Sequence, residues 1–140
     1  MLELIKKYEG CKLKAYKCPA GVWTIGYGHT YEVKKSDIIT QEEAEAFLRQ
    51  DVQRMINFLN SLKLRLNPNQ MKALVSFIFN IGQGAFLRST LFKYLAVDNY
   101  DKRIYNEFLR WTKVTIEGKK VELQGLVNRR KEEADLYYTP

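Results

Sequence analysis

An apolar stripe that recurs every three or four residues between positions 44 and 59 constrains the fold more than any other feature of the sequence. Its members are Ala44, Phe47, Leu48, Val52, Met55, Ile56 and Leu59. Just before it, Thr40 and Glu43 have the spacing of a capping box, in which the hydroxyl accepts from a free backbone N–H and the carboxylate reaches back. Because the period is that of an α-helix, the sequence predicts one long amphipathic helix over about residues 40–60.

A second helical signal begins at Asn67. Asn67 suits the N-cap position and Pro68 suits the first helical position. Residues 71–81 are apolar nearly all round, which is typical of a buried central helix. We expect Gly82 and Gly84 to end it. Further helices are predicted over Leu91–Val97, Tyr100–Trp111 and Leu123–Tyr137, with an exposed turn or irregular hairpin over Val114–Val121.

The N-terminal segment predicts a short helix and then a small antiparallel hairpin. Gly10 is a natural helix stop, since glycine readily takes the left-handed conformation. Residues 13–16 and 22–27 alternate like short strands, and the sequence of residues 18–21 suits a type I turn. Residues 30–39 are polar and predict a third short strand and a loop. The fold class is therefore α+β, mostly α, in a single domain of 140 residues.

Glu9 is the first candidate catalytic residue. It lies one helical turn after Ile5, so both share a face, and Glu9 stands at the edge of an apolar stripe. Partial desolvation favours the protonated carboxyl near neutrality, which is the form that a general acid needs. A solvated carboxylate at a helix end is the alternative for this residue taken alone.

The net charge of +7 is concentrated late in the chain, where residues 102–131 contain nine Lys or Arg and three Glu. One interpretation is a solvated basic face. The other is attraction to a polyanion, either nucleic acid or the anionic bacterial envelope. No helix-turn-helix, zinc-finger or RNA-binding pattern accompanies the charge, so nucleic acid is not a predicted partner.

Neither membrane insertion, nor a metal site, nor an organic cofactor is predicted. No run of 18 apolar residues exists, and the first residues lack the apolar core and cleavage site of a signal peptide. One histidine and two cysteines, Cys11 and Cys18, do not form a zinc ligand pattern. We expect free thiols, with a local disulfide as the alternative in an oxidising compartment.

One spacing pattern is specific: Glu9, eight residues, Cys18, five residues, Thr24, and then the run Ile-Gly-Tyr-Gly-His at 25–29. It resembles the pattern of the phage-type lysozymes, the endolysins of glycoside hydrolase family 24, and the resemblance extends over nearly the whole chain. It implies a lysozyme-like fold. A small N-terminal lobe with a β-hairpin or three-stranded sheet (about 1–39) would be joined by a linking helix (about 40–60) to a larger helical lobe (about 61–140).

The resemblance also implies an activity. The family cleaves the β-1,4 bond between N-acetylmuramic acid and N-acetylglucosamine in bacterial peptidoglycan, with inversion at the anomeric carbon. Glu9 would be the general acid, and Thr24 would help to hold the attacking water. Further contacts to the sugar chain are implied at Tyr27, Thr30, Phe79 and Ser89; core packing of Phe79 and an N-cap role of Ser89 are the alternatives.

Cys18 occupies a position where the family usually has Asp. A thiol with an ordinary pKa of about 8.5 is mostly neutral at pH 7, so it gives less electrostatic help than an Asp. Lys12, Lys14 or Lys17 would increase that help by lowering the pKa of Cys18. A water positioner or thiolate base is favoured, and a nucleophile is the alternative.

Asp51 lies inside the apolar stripe of the long helix, where a carboxylate needs a partner. We nominate His29, the only histidine, and the resemblance implies the same pairing. The prediction is a structural ion pair outside the chemistry; an Arg or Lys partner, or an Asp51 that faces water, is the alternative.

The resemblance further implies a monomer that is made in the host cytoplasm and reaches the cell wall after a holin opens the inner membrane. The competing function is a peptidoglycan-binding module that has lost catalysis, because Cys18 stands where the family usually has Asp. The presence of Glu9 and Thr24 argues against that reading. A tail-associated or bacterial use of the same domain fits the sequence equally well.

Overall fold

The computed structural model describes residues 2–140, which form two compact units that divide between Arg54 and Met55. The elements, in chain order, are α1 (Leu2–Glu9), β1 (Lys12–Lys17), β2 (Trp23–Gly26), α2 (Gln41–Ser61), α3 (Pro68–Ile81), α4 (Gln83–Arg88), α5 (Thr90–Val97), α6 (Arg103–Leu109), β3 (Lys113–Ile116), β4 (Lys119–Glu122) and α7 (Gln124–Tyr137). The division between the units falls inside α2. Among residues 2–140, no helix combines the length and the apolar character needed to cross a bilayer.

In the first unit, both predicted boundaries of the N-terminal helices are confirmed. Gly10 follows α1 with φ at +65° and donates its backbone N–H to the carbonyl of Lys6. The capping box before α2 is complete: Glu43 N–H donates to the Thr40 hydroxyl, and Thr40 N–H donates to the Glu43 carboxylate, each over 3.1 Å. Local capping chemistry thus determines where these helices end and begin.

The predicted hairpin of the first unit is present, but the third strand is only a single bridge. β1 and β2 are antiparallel, with Tyr16 opposite Thr24. Beyond them, one isolated bridge joins Lys14 to Ile38. Residues 30–39 are mostly exposed, and Glu32 within them has φ at +56°, which interrupts extended backbone.

The second unit is built around α3. Its N-cap at Asn67 is confirmed, and its buried face carries Phe77, which is 0% exposed. The Phe77 ring makes edge contacts with Phe86, Phe108 and Trp111 at centroid distances of 5.1–6.5 Å. These aromatic contacts bring α4 and α6, together with the segment after α6, onto α3.

Two local predictions for this unit are wrong in detail. Gly82 ends α3 as expected, but Gly84 lies within a further helix, α4, which the buried Phe86 anchors in the core. The segment predicted as a turn or irregular hairpin is a regular antiparallel pair, β3 and β4. Glu117 and Gly118 between the strands both have positive φ, as a two-residue type I′ turn requires.

A buried charge cluster joins α7 to the rest of this unit. Glu133 is 0% exposed, and its carboxylate contacts Arg130 Nη1, Arg129 Nε (3.2 Å) and the Ser76 hydroxyl. Arg129 also donates to the carbonyl of Ser76 (2.9 Å), and Arg130 donates to the carbonyl of Trp111 (2.9 Å). The cluster corrects the interpretation of the late basic excess, because two of its nine cations are core residues rather than surface charges.

Replacing Glu133 with Gln is expected to destabilise the protein by about 3–5 kcal/mol, because two buried guanidinium groups lose the carboxylate charge that both contact. Glu117→Gln is the matched control: it makes the same chemical change at an exposed turn position. Urea unfolding followed by circular dichroism measures both free energies. A loss of less than about 1 kcal/mol for Glu133→Gln would show that the cluster is not a stabilising constraint.

Candidate active site

Glu9 is the last residue of α1, and it is half-buried. The helix end therefore presents a carboxyl group at a boundary between core and solvent, as the sequence predicts. Its electrostatic influence reaches Tyr16 in β1, whose pKa it helps to raise. Glu9 and the hairpin thus share one local environment within the first unit.

Cys18 lies in the turn that joins β1 to β2. The turn is closed by two backbone hydrogen bonds, from Gly21 N–H to the Cys18 carbonyl (2.8 Å) and from Cys18 N–H to the Val22 carbonyl (3.0 Å). The same turn lowers the pKa of the Cys18 thiol. The largest cause is a hydrogen bond from Val22 N–H, and the Ala20 N–H and the Thr24 hydroxyl add to it. These donors favour the thiolate because they point at the sulfur.

Lys12, Lys14 and Lys17 were expected to lower the pKa of Cys18, but none of them is among the groups that lower it. Two of them lie over aromatic rings instead: the ammonium of Lys12 is 4.3 Å from the Tyr16 ring centroid, and that of Lys17 is 5.4 Å from the Trp23 ring centroid. The backbone N–H groups lower the pKa of Cys18 because the turn holds them near the sulfur. The lysine side chains are exposed and are not fixed near it.

Thr24 is 3% exposed in β2. Its hydroxyl donates to the carbonyl of Val22 over 2.9 Å. A hydroxyl has one proton, so this bond must give way when the hydroxyl donates to an ionised Cys18. Thr24 therefore links the strand to the turn, and its hydroxyl oxygen keeps lone pairs that can accept a hydrogen bond.

Tyr16 has surroundings in common with the candidate site residues, which the sequence analysis did not anticipate. It is half-buried and lies directly opposite Thr24 in the hairpin. Burial raises the pKa of its phenol most, and the charges of Glu9 and Cys18 raise it further. The sequence did contain a sign of this. Tyr16 precedes Cys18 by two residues, and side chains two residues apart lie on the same face of an extended segment.

His29 and Asp51 are brought together as nominated. His29 Nδ1 lies 2.8 Å from Asp51 Oδ2, and both side chains are buried. The His29 ring stacks on Phe47 at a centroid distance of 4.3 Å. Arg54 also contacts the Asp51 carboxylate, so the two partners considered for Asp51 are both present.

The residues implied to contact sugar have different surroundings. Tyr27 is 9% exposed, and its hydroxyl accepts from Gln41 (2.9 Å) and donates to Glu45 (3.3 Å), whereas Thr30 is exposed. In the second unit, Phe79 is half-buried. Ser89 is the N-cap of α5, so its hydroxyl accepts from Phe92 N–H (3.1 Å).

The second unit contains a polar cavity of about 710 Å³. Its lining combines the Ser89 region, the end of α6 and the second hairpin. Of its acidic residues, Glu107 is paired with Arg110 (3.0 Å) and Glu122 accepts from Thr112 (3.2 Å). The side-chain cations of Arg88, Lys113 and Lys120 also line it, and none of them has an ion-pair partner among residues 2–140.

Cys11 and Cys18 are both free thiols. Among residues 2–140, no three His, Cys, Asp or Glu side chains are grouped as metal ligands. The chemistry that the first unit offers is therefore that of a carboxyl group, a phenol, an acidified thiol and a hydroxyl.

Comparison with known proteins gives one consistent result. The family model described as phage lysozyme matches residues 6–133. The endolysin of Acyrthosiphon pisum secondary endosymbiont phage 1 is 49% identical over 137 residues, which cover 97% of this chain and 93% of that protein.

Solved structures agree with that match. The muramidase domain of SpmX from Asticaccaulis excentricus has a TM-score of 0.89 at 36% identity, covering 99% of this chain and 95% of that one. The endolysin from Escherichia coli O157:H7 phage FAHEc1 has a TM-score of 0.84 at 40% identity, covering 98% and 89%. The fold is therefore lysozyme-like.

We expect Cys18 to react with iodoacetamide at lower pH than an unperturbed thiol does, because turn donors favour its thiolate. The rate is measured across the titration range in a Cys11→Ser protein, with a short cysteine peptide as reference. Thr24→Val, which removes only the hydroxyl donor, should move the midpoint upward. A Cys18 midpoint at or above that of the peptide would contradict the assignment.

Proposed function

Because the chain belongs to the phage lysozyme family, we propose that it hydrolyses bacterial peptidoglycan as an N-acetylmuramidase. The bond cut is the β-1,4 link between N-acetylmuramic acid and N-acetylglucosamine. One observation carries the proposal: Glu9 ends α1, Cys18 lies in the turn of the hairpin that follows, and Thr24 stands opposite Tyr16 in that hairpin. The pKa of Tyr16 is raised mainly by burial and further by the charges of both Glu9 and Cys18, so a candidate acid and a candidate base lie near the same phenol. Two groups of opposite proton-transfer role are what glycoside hydrolysis needs.

Glu9 is the proposed general acid. Cleavage of a glycosidic bond requires a proton on the departing sugar oxygen while positive charge develops on the other sugar. Glu9 is half-buried at the end of α1, so its carboxyl group lies at the boundary between core and solvent. The protonated form donates to the leaving oxygen, and the carboxylate that results is reprotonated from solvent.

Cys18 is the proposed base or water positioner, and Thr24 is the proposed water-holding group. The pKa of Cys18 is lowered by donors of its own turn, so a larger fraction is thiolate at neutral pH than for an ordinary thiol. A thiolate accepts a proton from water, and the Thr24 hydroxyl orients that water through its lone pairs. Attack from the face opposite the leaving group then inverts the anomeric carbon.

The second unit is proposed to contribute wall binding. Its cavity presents the cations of Arg88, Lys113 and Lys120 without acidic partners among residues 2–140, which suits the negative charge of the bacterial envelope. Ser89 lines the cavity although its hydroxyl also caps α5. Contacts of Tyr27, Thr30, Phe79 and Ser89 with the sugar chain remain proposals. Tyr27 is the weakest of them, because its hydroxyl already has two partners.

The biological setting follows from the same proposal. We place synthesis in the host cytoplasm, with access to the wall after a holin has opened the inner membrane, and action as a monomer. We assign the His29–Asp51 contact a structural role, because both side chains are buried and Arg54 contacts the same Asp51 carboxylate.

Glu9→Gln should reduce the release of soluble muropeptides from purified peptidoglycan by at least about a hundredfold, because the amide cannot donate an acidic proton. Glu3→Gln is the matched control, since it makes the same change at an exposed position of α1. Both variants are compared at matched stability. A wild-type protein that binds the wall and releases nothing would instead be a non-catalytic binding module.

The configuration of the first product tests the role of Cys18. With Cys18 as base or water positioner, ¹H NMR of freshly released sugar should show the inverted anomer before mutarotation. If the anomer is retained, Cys18 is the nucleophile of a covalent intermediate and the base assignment is wrong. Cys18→Asp, which installs the residue usual in the family, should keep inversion.

A further inference from the structure

The carboxylate of Glu45 in α2 joins three segments of the first unit. Its Oε2 lies 2.7 Å from the ammonium of Lys6 in α1. Its Oε1 accepts from the Tyr27 hydroxyl just after β2 (3.3 Å) and from Gln41 Nε2 within α2 (3.2 Å). The ion pair shifts the pKa of both groups. The hydrogen bond with Lys6 is the main reason that the pKa of Glu45 is lowered, and the hydrogen bond with Glu45 is the main reason that the pKa of Lys6 is raised.

Other contacts extend this group into a network. Gln41 Nε2 also donates to the Tyr27 hydroxyl (2.9 Å), and Gln41 Oε1 lies 3.6 Å from the thiol of Cys11. The Lys6 ammonium lies 5.7 Å from the centroid of the Tyr27 ring. Helix α1, the residue after its glycine stop, the end of the hairpin and α2 are thus tied at one point.

This point lies next to the proposed general acid along the chain. Lys6 is three residues before Glu9 in α1, and the carbonyl of Lys6 accepts the N–H of Gly10, which closes the last turn (3.1 Å). An eight-residue helix is marginal by itself, and its final turn frays unless tertiary contacts hold it. The side chain and the main chain of Lys6 therefore both restrain the turn that carries Glu9.

We propose that Glu45 is a positioning residue for the reaction: through Lys6 it holds the last turn of α1, and with it Glu9, while through Tyr27 it holds the end of the hairpin. The inference rests on the muramidase function proposed above. It assigns Glu45 no contact with substrate. A misplacement of about 1 Å in a catalytic group costs on the order of a hundredfold in rate, so a modest anchor has a measurable kinetic effect.

The stability effect of the pair is expected to be small. Both side chains retain 26% exposure, and ion pairs that water reaches change the unfolding equilibrium by only about fivefold or less. A purely structural role would therefore leave turnover unchanged once the protein is folded. A positioning role lowers kcat in a protein that remains folded.

The test is a double-mutant cycle with Glu45→Gln and Lys6→Met, assayed on soluble glycan chains prepared from peptidoglycan. Each single variant should lose about tenfold in kcat with less than a twofold change in KM, since the substrate contacts are intact. The double variant should lose no more than either single one, because the pair acts as a unit. Glu42→Gln, at an exposed position of the same helix, is the matched control and should keep the wild-type kcat.

Exchange of the two charges provides the rescue. Lys6→Glu combined with Glu45→Lys should recover most of the lost kcat, while either change alone should not. Full kcat in Glu45→Gln, or losses that multiply in the double variant, would overturn the positioning role. A wild-type protein that releases nothing would overturn the muramidase proposal instead, so the two failures are distinguishable.

Discussion

The second unit depends on the burial of one carboxylate. Glu133 has no solvent exposure, and an ion in that environment is tolerated only when its charge and hydrogen-bonding capacity are satisfied. Arg129 and Arg130 neutralise it, and their remaining N–H groups reach main-chain carbonyls of α3 and of the segment after α6. A buried carboxylate without its partners is strongly destabilising, so the contacts of Glu133 favour the placement of α7 in which both arginines reach it.

In the first unit, the pKa of Cys18 depends on the backbone of an exposed turn and not on deep burial. The turn at residues 18–22 closes the hairpin and, through the same backbone, directs N–H donors at the Cys18 sulfur. The acidity of the thiol is consequently a property of the turn and needs no nearby lysine. The network at Glu45 complements this arrangement, because it restrains the helix end that carries Glu9 and the end of the hairpin. Different contacts therefore hold the two groups: the network at Glu45 restrains the helix end that carries Glu9, and the hairpin turn holds Cys18.

Sequence patterns predicted what depends on neighbours along the chain. The capping residues Thr40 and Asn67, the stop at Gly10 and the long helix follow from local hydrogen bonding and a 3.6-residue period, and all are present. The His29–Asp51 contact was accessible too, because a carboxylate within an apolar stripe needs a partner and the chain has one histidine. Helix α4 was missed, since two glycines mask a six-residue helix that one buried phenylalanine anchors.

The sequence by itself determined the helical framework, the family and the candidates Glu9, Cys18 and Thr24, because spacing and capping are read within a few residues. Only the tertiary structure decided which charges are buried: Arg129 and Arg130 belong to the late basic excess of the sequence, and both are buried where α7 packs on α3. It also decided which groups lower the pKa of Cys18, and that the charges of Glu9 and Cys18 both raise the pKa of Tyr16. Desolvation and the direction of a hydrogen-bond donor are properties of three-dimensional surroundings, which residues distant in the chain create together.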